Sequence, residues 1–133
     1  MLRVVLDTNV LLAALGTGGL CADLVEHALE RHVVVTSRHI LRELEEHLAS
    51  KFAVPEAIVR RTIEEFSRGA TVVEPAELPS DVCSDPDDVP VLGTAVAGDA
   101  GIVVTGDKQL IRSARVSGVE VVNVREAILR LGV

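Results

Sequence analysis

The sequence is almost without aromatic residues. Phe52 and Phe66 are its only two, and Trp and Tyr are absent. Proteins that hold single-stranded nucleic acid by stacking successive bases need a row of such rings, so that class is excluded. Cysteine is equally scarce. Cys21 and Cys83 lie far apart in the chain, too few and too distant for a metal knuckle or a disulfide framework, so two reduced thiols are expected. Positive charge is in deficit: 13 Lys and Arg stand against 20 Asp and Glu, a net charge of −7. That excludes a protein that coats nucleic acid or an anionic membrane by bulk attraction. It leaves room for a nuclease, because carboxylates that hold metal ions enter the sum as negative. Of the basic residues 11 are Arg and 2 are Lys, and Arg forks onto phosphate well. No apolar run approaches the ~18 residues of a membrane span. The N-terminus enters a strand-like run at once, without the pattern of a secretory signal, and a cytoplasmic location is expected.

What is present suffices for a core. The 133 residues are 48% hydrophobic and 25% charged, the proportions of one globular domain, expected to span 1–133. Five short runs are rich in β-branched residues: Leu2–Leu6, Val33–Thr36, Ala70–Val73, Ile102–Thr105 and Val119–Asn123. They are continuously apolar rather than alternating, as strands buried on both faces are. Helical stripes lie between them, carried by Leu20, Leu24 and Ala28, by Ile40, Leu44 and Leu48, by Ile58, Val59, Ile63 and Phe66, by Val91, Leu92 and Ala95, by Leu110, Ile111 and Ala114, and by Ala127, Ile128 and Leu131. Helix follows strand repeatedly. The expected class is α/β: a three-layer α/β/α sandwich around a mainly parallel five-stranded sheet. The longest stretch without pattern is 74–86, which holds Pro75, Pro79 and Pro86 and reads as a loop.

In a parallel sheet functional groups collect at the carboxyl ends of the strands. The first strand ends in Asp7-Thr8-Asn9. The second ends in Thr36-Ser37 and feeds the helix that carries Glu43. The fourth ends in Thr105-Gly106-Asp107-Lys108. Asp85, Asp87 and Asp88 open the helix over 89–98. Four separate segments thus deliver acids to one rim, where they repel one another unless a cation is present. An all-oxygen set suits Mg²⁺ or Mn²⁺, which activate water against a phosphodiester. Each acid also has a structural role open to it. Asp7 and Asp107 stand where a helix N-cap is wanted, and the helix dipole welcomes the acids at 85–88. Pro90 is tolerated only in a first turn, which places that helix start near Asp87. On a helical wheel Glu46 points away from the apolar arc of Ile40, Leu41, Leu44 and Leu48, while Glu43 and Glu45 flank it at about 60° and 40°, so the wheel does not choose between them.

Other signals are weaker. His39, Glu43 and His47 share one side of a helix, but the order is wrong for the zinc-protease pattern. His47 beside Glu43 reads better as a group that orients a ligand. Gly16-Thr17-Gly18-Gly19 lacks the Lys-Ser/Thr of a phosphate loop and reads as a turn between helices. Lys108, Arg112 and Arg115 are spaced to share one helix face beside Asp107. With Arg38 and Arg42 they offer a basic rim for RNA phosphates. A phosphatase of the haloacid-dehalogenase type needs a second Asp where Asn9 stands, and a receiver domain needs Asp where Glu74 stands.

Together the segments 4–10 (Val-Val-Leu-Asp-Thr-Asn-Val), 37–48 (with Leu41-Arg42-Glu43-Leu44-Glu45-Glu46-His47-Leu48), 85–95 (Asp85-Pro86-Asp87-Asp88, Leu92, Ala95) and 102–110 (Ile-Val-Val-Thr-Gly-Asp-Lys-Gln-Leu) resemble the PIN-domain nucleases, in particular the VapC-like toxin components of prokaryotic toxin–antitoxin pairs. The likeness covers nearly the whole chain, in order. It implies a Rossmann-like sheet and an endoribonuclease dependent on Mg²⁺ or Mn²⁺. It implies an acidic quartet at Asp7, Glu43, Asp88 and Asp107, with Glu43 favoured over Glu45. Thr8, Asn9, Asp87 and Thr105 would support the acids, and Lys108, Arg112 and Arg38 would face RNA. It further implies a small antitoxin partner and a homodimer. A PIN-like domain that binds RNA or protein without cutting is the alternative.

Overall fold

A computed structural model describes residues 1–133. Five strands form the sheet: β1 (Arg3–Leu6), β2 (Val33–Ser37), β3 (Thr71–Val73), β4 (Ile102–Val104) and β5 (Glu120–Val122). All pairings are parallel, in the order β3-β2-β1-β4-β5. In β1 the successive residues Val4, Val5 and Leu6 are all buried, as are Ile102, Val103 and Val104 in β4. Neighbours on a strand point to opposite faces, so both faces of the sheet are covered by helices. The α/β sandwich expected from the continuous apolar runs is the one observed.

Seven helices complete the chain: α1 (Thr8–Gly16), α2 (Gly19–Arg31), α3 (Arg38–Ser50), α4 (Glu56–Gly69), α5 (Val89–Ala97), α6 (Lys108–Ser113) and α7 (Val124–Leu131). Gly18 and Gly19 have φ of +69° and +60°, a backbone that glycine alone adopts without strain, and α1 and α2 meet there at 113°. No single helix is long and apolar enough to cross a membrane. One cluster of 27 buried residues runs from β1 through α3 and α5 to α7.

Element ends depart from the sequence reading where side chains cap. Strand β5 stops at Val122 because Asn123 accepts the Glu126 N–H at 2.8 Å and starts α7. Helix α5 begins at Val89, after a 3₁₀ turn over Pro86–Asp88, rather than near Asp87. Helix α6 ends at Ser113, and the next residues are extended with the Arg115 N–H bonded to Val82 O at 2.7 Å. Arg115 is therefore not on the helix face expected for it. It lies in a loop and its guanidinium turns back onto the carbonyls of Arg112 and Ala114.

Candidate active site

Strand order dictates where a site belongs. The chain runs outward from β1 to β2 and β3, then returns to the other side of β1 for β4 and β5. The crevice at this reversal opens beyond the carboxyl ends of β1 and β4. Asp7 follows β1 and Thr105 follows β4, and both are buried.

Asp7 is fixed at both oxygens. Its Oδ1 accepts the Thr8 N–H at 2.8 Å, capping α1, and its Oδ2 accepts the Thr105 hydroxyl at 2.7 Å. Thr105 Oγ1 in turn accepts the Asp107 N–H at 3.1 Å. Asp107 caps α6, accepting the N–H groups of Gln109 and Leu110 on Oδ1. Thr8 works on the opposite side, where its hydroxyl donates to Glu43 Oε1 at 3.1 Å. Two threonines thus tie Asp7 to Asp107 on one flank and to Glu43 on the other. Glu43 faces the start of α1, while Glu45 is exposed and borders a separate hollow beside Glu56, Arg60 and Glu64 of α4. The ambiguity left by the helical wheel is resolved by which neighbouring helix each side chain meets.

The loop before α5 divides its acids by task. Asp85 Oδ1 accepts the Asp87 N–H at 3.0 Å and caps the 3₁₀ turn. Below it Cys83 donates its thiol to Asp85 O at 3.3 Å, and burial pushes that thiol's pKa up. Asp88 stands at the start of α5 without capping it. Its carboxyl is pushed up to about 6, first by burial and then by repulsion from Asp7, Asp85, Asp107 and Glu43. Asp7 is also raised, chiefly by burial, against the lowering effect of its bonds to Thr105 and Thr8; Asp107 adds repulsion and His39 a small attraction. Acids from four segments therefore lie in one another's electrostatic field.

The donors at this crevice are oxygens with no Lys or Arg bonded to them, an environment a hard divalent cation fits. No three His, Cys, Asp or Glu side chains stand poised around a common point, so ligation by these carboxylates requires side-chain rotation. Asp88 is the freest to turn, since no hydrogen bond holds it.

The remaining expected residues are placed less uniformly. Asn9 is exposed in the first turn of α1 and bonds none of the acids, and Asp87 is exposed with only its backbone N–H engaged. Lys108 and Arg112 are exposed on α6 beside Asp107. Arg38 is turned aside: its Nε lies 3.5 Å from Glu74 Oε1, with both side chains largely in water. Spacing puts both His39 and His47 on the side of Glu43 and favours His47; it is His39 that the structure brings to the acids. Its Nε2 lies 3.2 Å from Glu43 Oε1, off the axis of a hydrogen bond, so this buried nitrogen has no partner. His47, one turn on the other side of Glu43, makes no such approach, and its buried Nδ1 is also unpartnered.

A family profile described as PIN domain matches residues 3–109. The chain belongs to the PIN-domain family. As a fold, this PIN domain is similar to VapBC2 from Rickettsia felis, solved bound to a DNA fragment from its promoter, with TM-score 0.64 and 13% identity over 92% of this chain and 98% of that one. It is similar to PAE2754 from Pyrobaculum aerophilum, with TM-score 0.68 and 17% identity over 98% of this chain and 90% of that one. It is similar also to VapBC-1 from nontypeable Haemophilus influenzae, with TM-score 0.63 and 15% identity over 93% of this chain and 99% of that one. Among curated protein sequences none matches it.

Proposed function

We propose that this PIN domain is an endoribonuclease dependent on Mg²⁺ or Mn²⁺ and the toxin of a toxin–antitoxin pair. One observation carries the reading: beyond the ends of β1 and β4, Thr8 and Thr105 tie Asp7 to Glu43 on one flank and to Asp107 on the other, and Asp88 stands uncapped at the start of α5 within the repulsive field of all three, with no Lys or Arg bonded to any of them. Asp7, Asp88, Asp107 and Glu43 are the catalytic acids and the groups that would hold the ion. When bound, such an ion supplies acidified water for in-line attack on phosphorus and positive charge for the leaving oxygen.

The chain's own residues prepare that chemistry. Thr8 and Thr105 lock the Asp7 carboxylate in one orientation, so the rotation that ligation requires falls on the other acids. Cap bonds hold Asp107 in place, and Asp88 swings in. Lys108 and Arg112 neutralise RNA phosphates next to Asp107. Arg38 joins them on release from Glu74. Thr8 and Thr105 support the acids through bonds; Asn9 and Asp87, exposed and bonded to none of these four acids, take no such part here.

The partner is a small antitoxin, as the VapBC relatives suggest. An apolar groove runs between α1, α2 and α4, lined by Leu11, Leu15, Val25, Leu29 and Phe66 and continuing to Phe52 and Ile58. Glu26 and Glu65 border it, so a segment with apolar and basic side chains fits. We further assign the chain to the cytoplasm, as a homodimer.

The nuclease reading is tested with Asp7→Asn. That variant is expected to retain its circular dichroism spectrum and to lose at least about a hundredfold of Mn²⁺-dependent RNA cleavage, the cost of removing one preorganised charged group. A fully active Asp7→Asn protein removes the site. Wild-type protein that binds RNA but does not cut it with either ion supports the binding-only alternative.

A further inference from the structure

We infer that the open cleft between the start of α3, the loop at Pro75–Leu78 and the start of α5 receives one nucleobase of the RNA, next to the phosphate being cut. The cleft has a volume of about 520 Å³ and is lined by His39, Pro75, Leu78, Val89 and Pro90 among others. That volume lies in the range of ligand clefts. The inference rests on the ribonuclease reading above and adds to it a subsite for the base.

Continuity with the acids gives the cleft its position. His39 lines it and also touches Glu43 at 3.2 Å, so one ring spans the cleft and the acidic crevice. Asp88 immediately precedes Val89 on the other wall. A chain whose phosphate lies among the acids brings the adjoining base within reach of this cleft, which shares His39 with the acidic crevice and begins at Val89 beside Asp88, whereas the groove of α1, α2 and α4 has none of the four acids on its walls.

The chemistry of the walls selects a flat, partly apolar group. Proline rings, Leu78 and Val89 exclude water from a base's faces without competing for its polar edge. His39 supplies the one aromatic face. Unstacked RNA bases are commonly held against histidine, and in a chain lacking Trp and Tyr that task falls to it. The exposed Glu77 carboxylate offers an acceptor to the base edge, whereas His39 Nε2 is enclosed on the Glu43 side, so His39 contributes its ring face alone. This is a single-base pocket, distinct from the extended stacking platform that the composition excludes.

The experiment uses full-length protein with Ca²⁺ in place of Mg²⁺ or Mn²⁺, so that a divalent ion offsets the acids as the phosphate enters, and a short oligoribonucleotide carrying 2-aminopurine, whose emission reports the environment of the base. His39→Ala and His39→Phe are compared with wild type, with folding checked by circular dichroism. Wild type and His39→Phe are expected to shift the emission with similar affinity, and His39→Ala to bind on the order of tenfold more weakly, the loss of one stacked base. With Mn²⁺ added, His39→Ala is expected to lose base preference at the position beside the cut. Equal binding by all three proteins overturns the subsite, and so does weakening by Phe as severe as by Ala, since the ring is then not what holds the base. If wild type shows the ring-dependent signal yet cuts no RNA with Mg²⁺ or Mn²⁺, the nuclease reading fails and the base site stands.

Discussion

Asp88 has neither a hydrogen bond nor a cation to offset the carboxylates around it, and this makes its charge costly. Its native pKa of about 6 lies above the ordinary 3.8, so between those values the folded protein holds more protons than the unfolded chain. Stability from this group is present at low pH and is lost as pH rises through about 6. Asp88 keeps contact with water, so the loss is on the order of 1 kcal/mol after screening. Asp88→Asn is expected to melt at the wild-type temperature near pH 4 and roughly 3–5 °C higher at pH 7.5, both without divalent ions. Thermal scans at the two pH values measure this, and an Asp88→Asn variant less stable than wild type at pH 7.5 contradicts it. At this scale the sequence was informative about residue types and poor about partners. Glu43 and Glu45 flank the same apolar arc, and His39 and His47 lie one turn either side of Glu43. Helical spacing is symmetric about Glu43; only the docking of α1, through the Thr8 hydroxyl, breaks that symmetry.

At the scale of elements, the strands were legible because both their faces are buried, which writes them as unbroken β-branched runs. Short elements were not. Helix α6 has six residues, too few for a periodic stripe to mark its end, so Arg115 was placed on a helix that had already stopped. The packing of α5 against the Pro75–Leu78 loop was also invisible, because it depends on a glycine's missing side chain. Ala76 N–H bonds to Gly93 O at 2.9 Å, and a Cβ on Gly93 would overlap the Ala76 carbonyl. Gly93→Ala is therefore expected to push this loop outward and to cost about 1–3 kcal/mol. Denaturant unfolding checks it, and an unchanged midpoint would show that the loop accommodates the methyl group without loss.

At the scale of the whole molecule, the order β3-β2-β1-β4-β5 brings Asp7 and Thr105 to one crevice although they are 98 positions apart. Parallel βαβ patterning indicated such a rim, but strand order follows from packing that no local pattern records. The molecule also separates its two surfaces. The acids open at the strand ends, while Leu15 and Ile58, half exposed, belong to the apolar groove of α1, α2 and α4. Leu15→Glu, which brings a charge into that groove near Glu26, is expected to weaken binding of the proposed antitoxin by at least about tenfold while leaving RNA cleavage by the isolated chain unchanged. Calorimetric titration decides this, and undiminished binding places the partner elsewhere.

The gathering of Asp7, Glu43, Asp88 and Asp107 around a divalent cation is tested most directly by crystals grown at pH 7.5 with Mn²⁺ and an anomalous difference map. The predicted result is a peak within ligating distance, about 2.0–2.4 Å, of both Asp7 and Asp88. Well-ordered carboxylates with no peak among them, at Mn²⁺ concentrations that support cleavage, would contradict it.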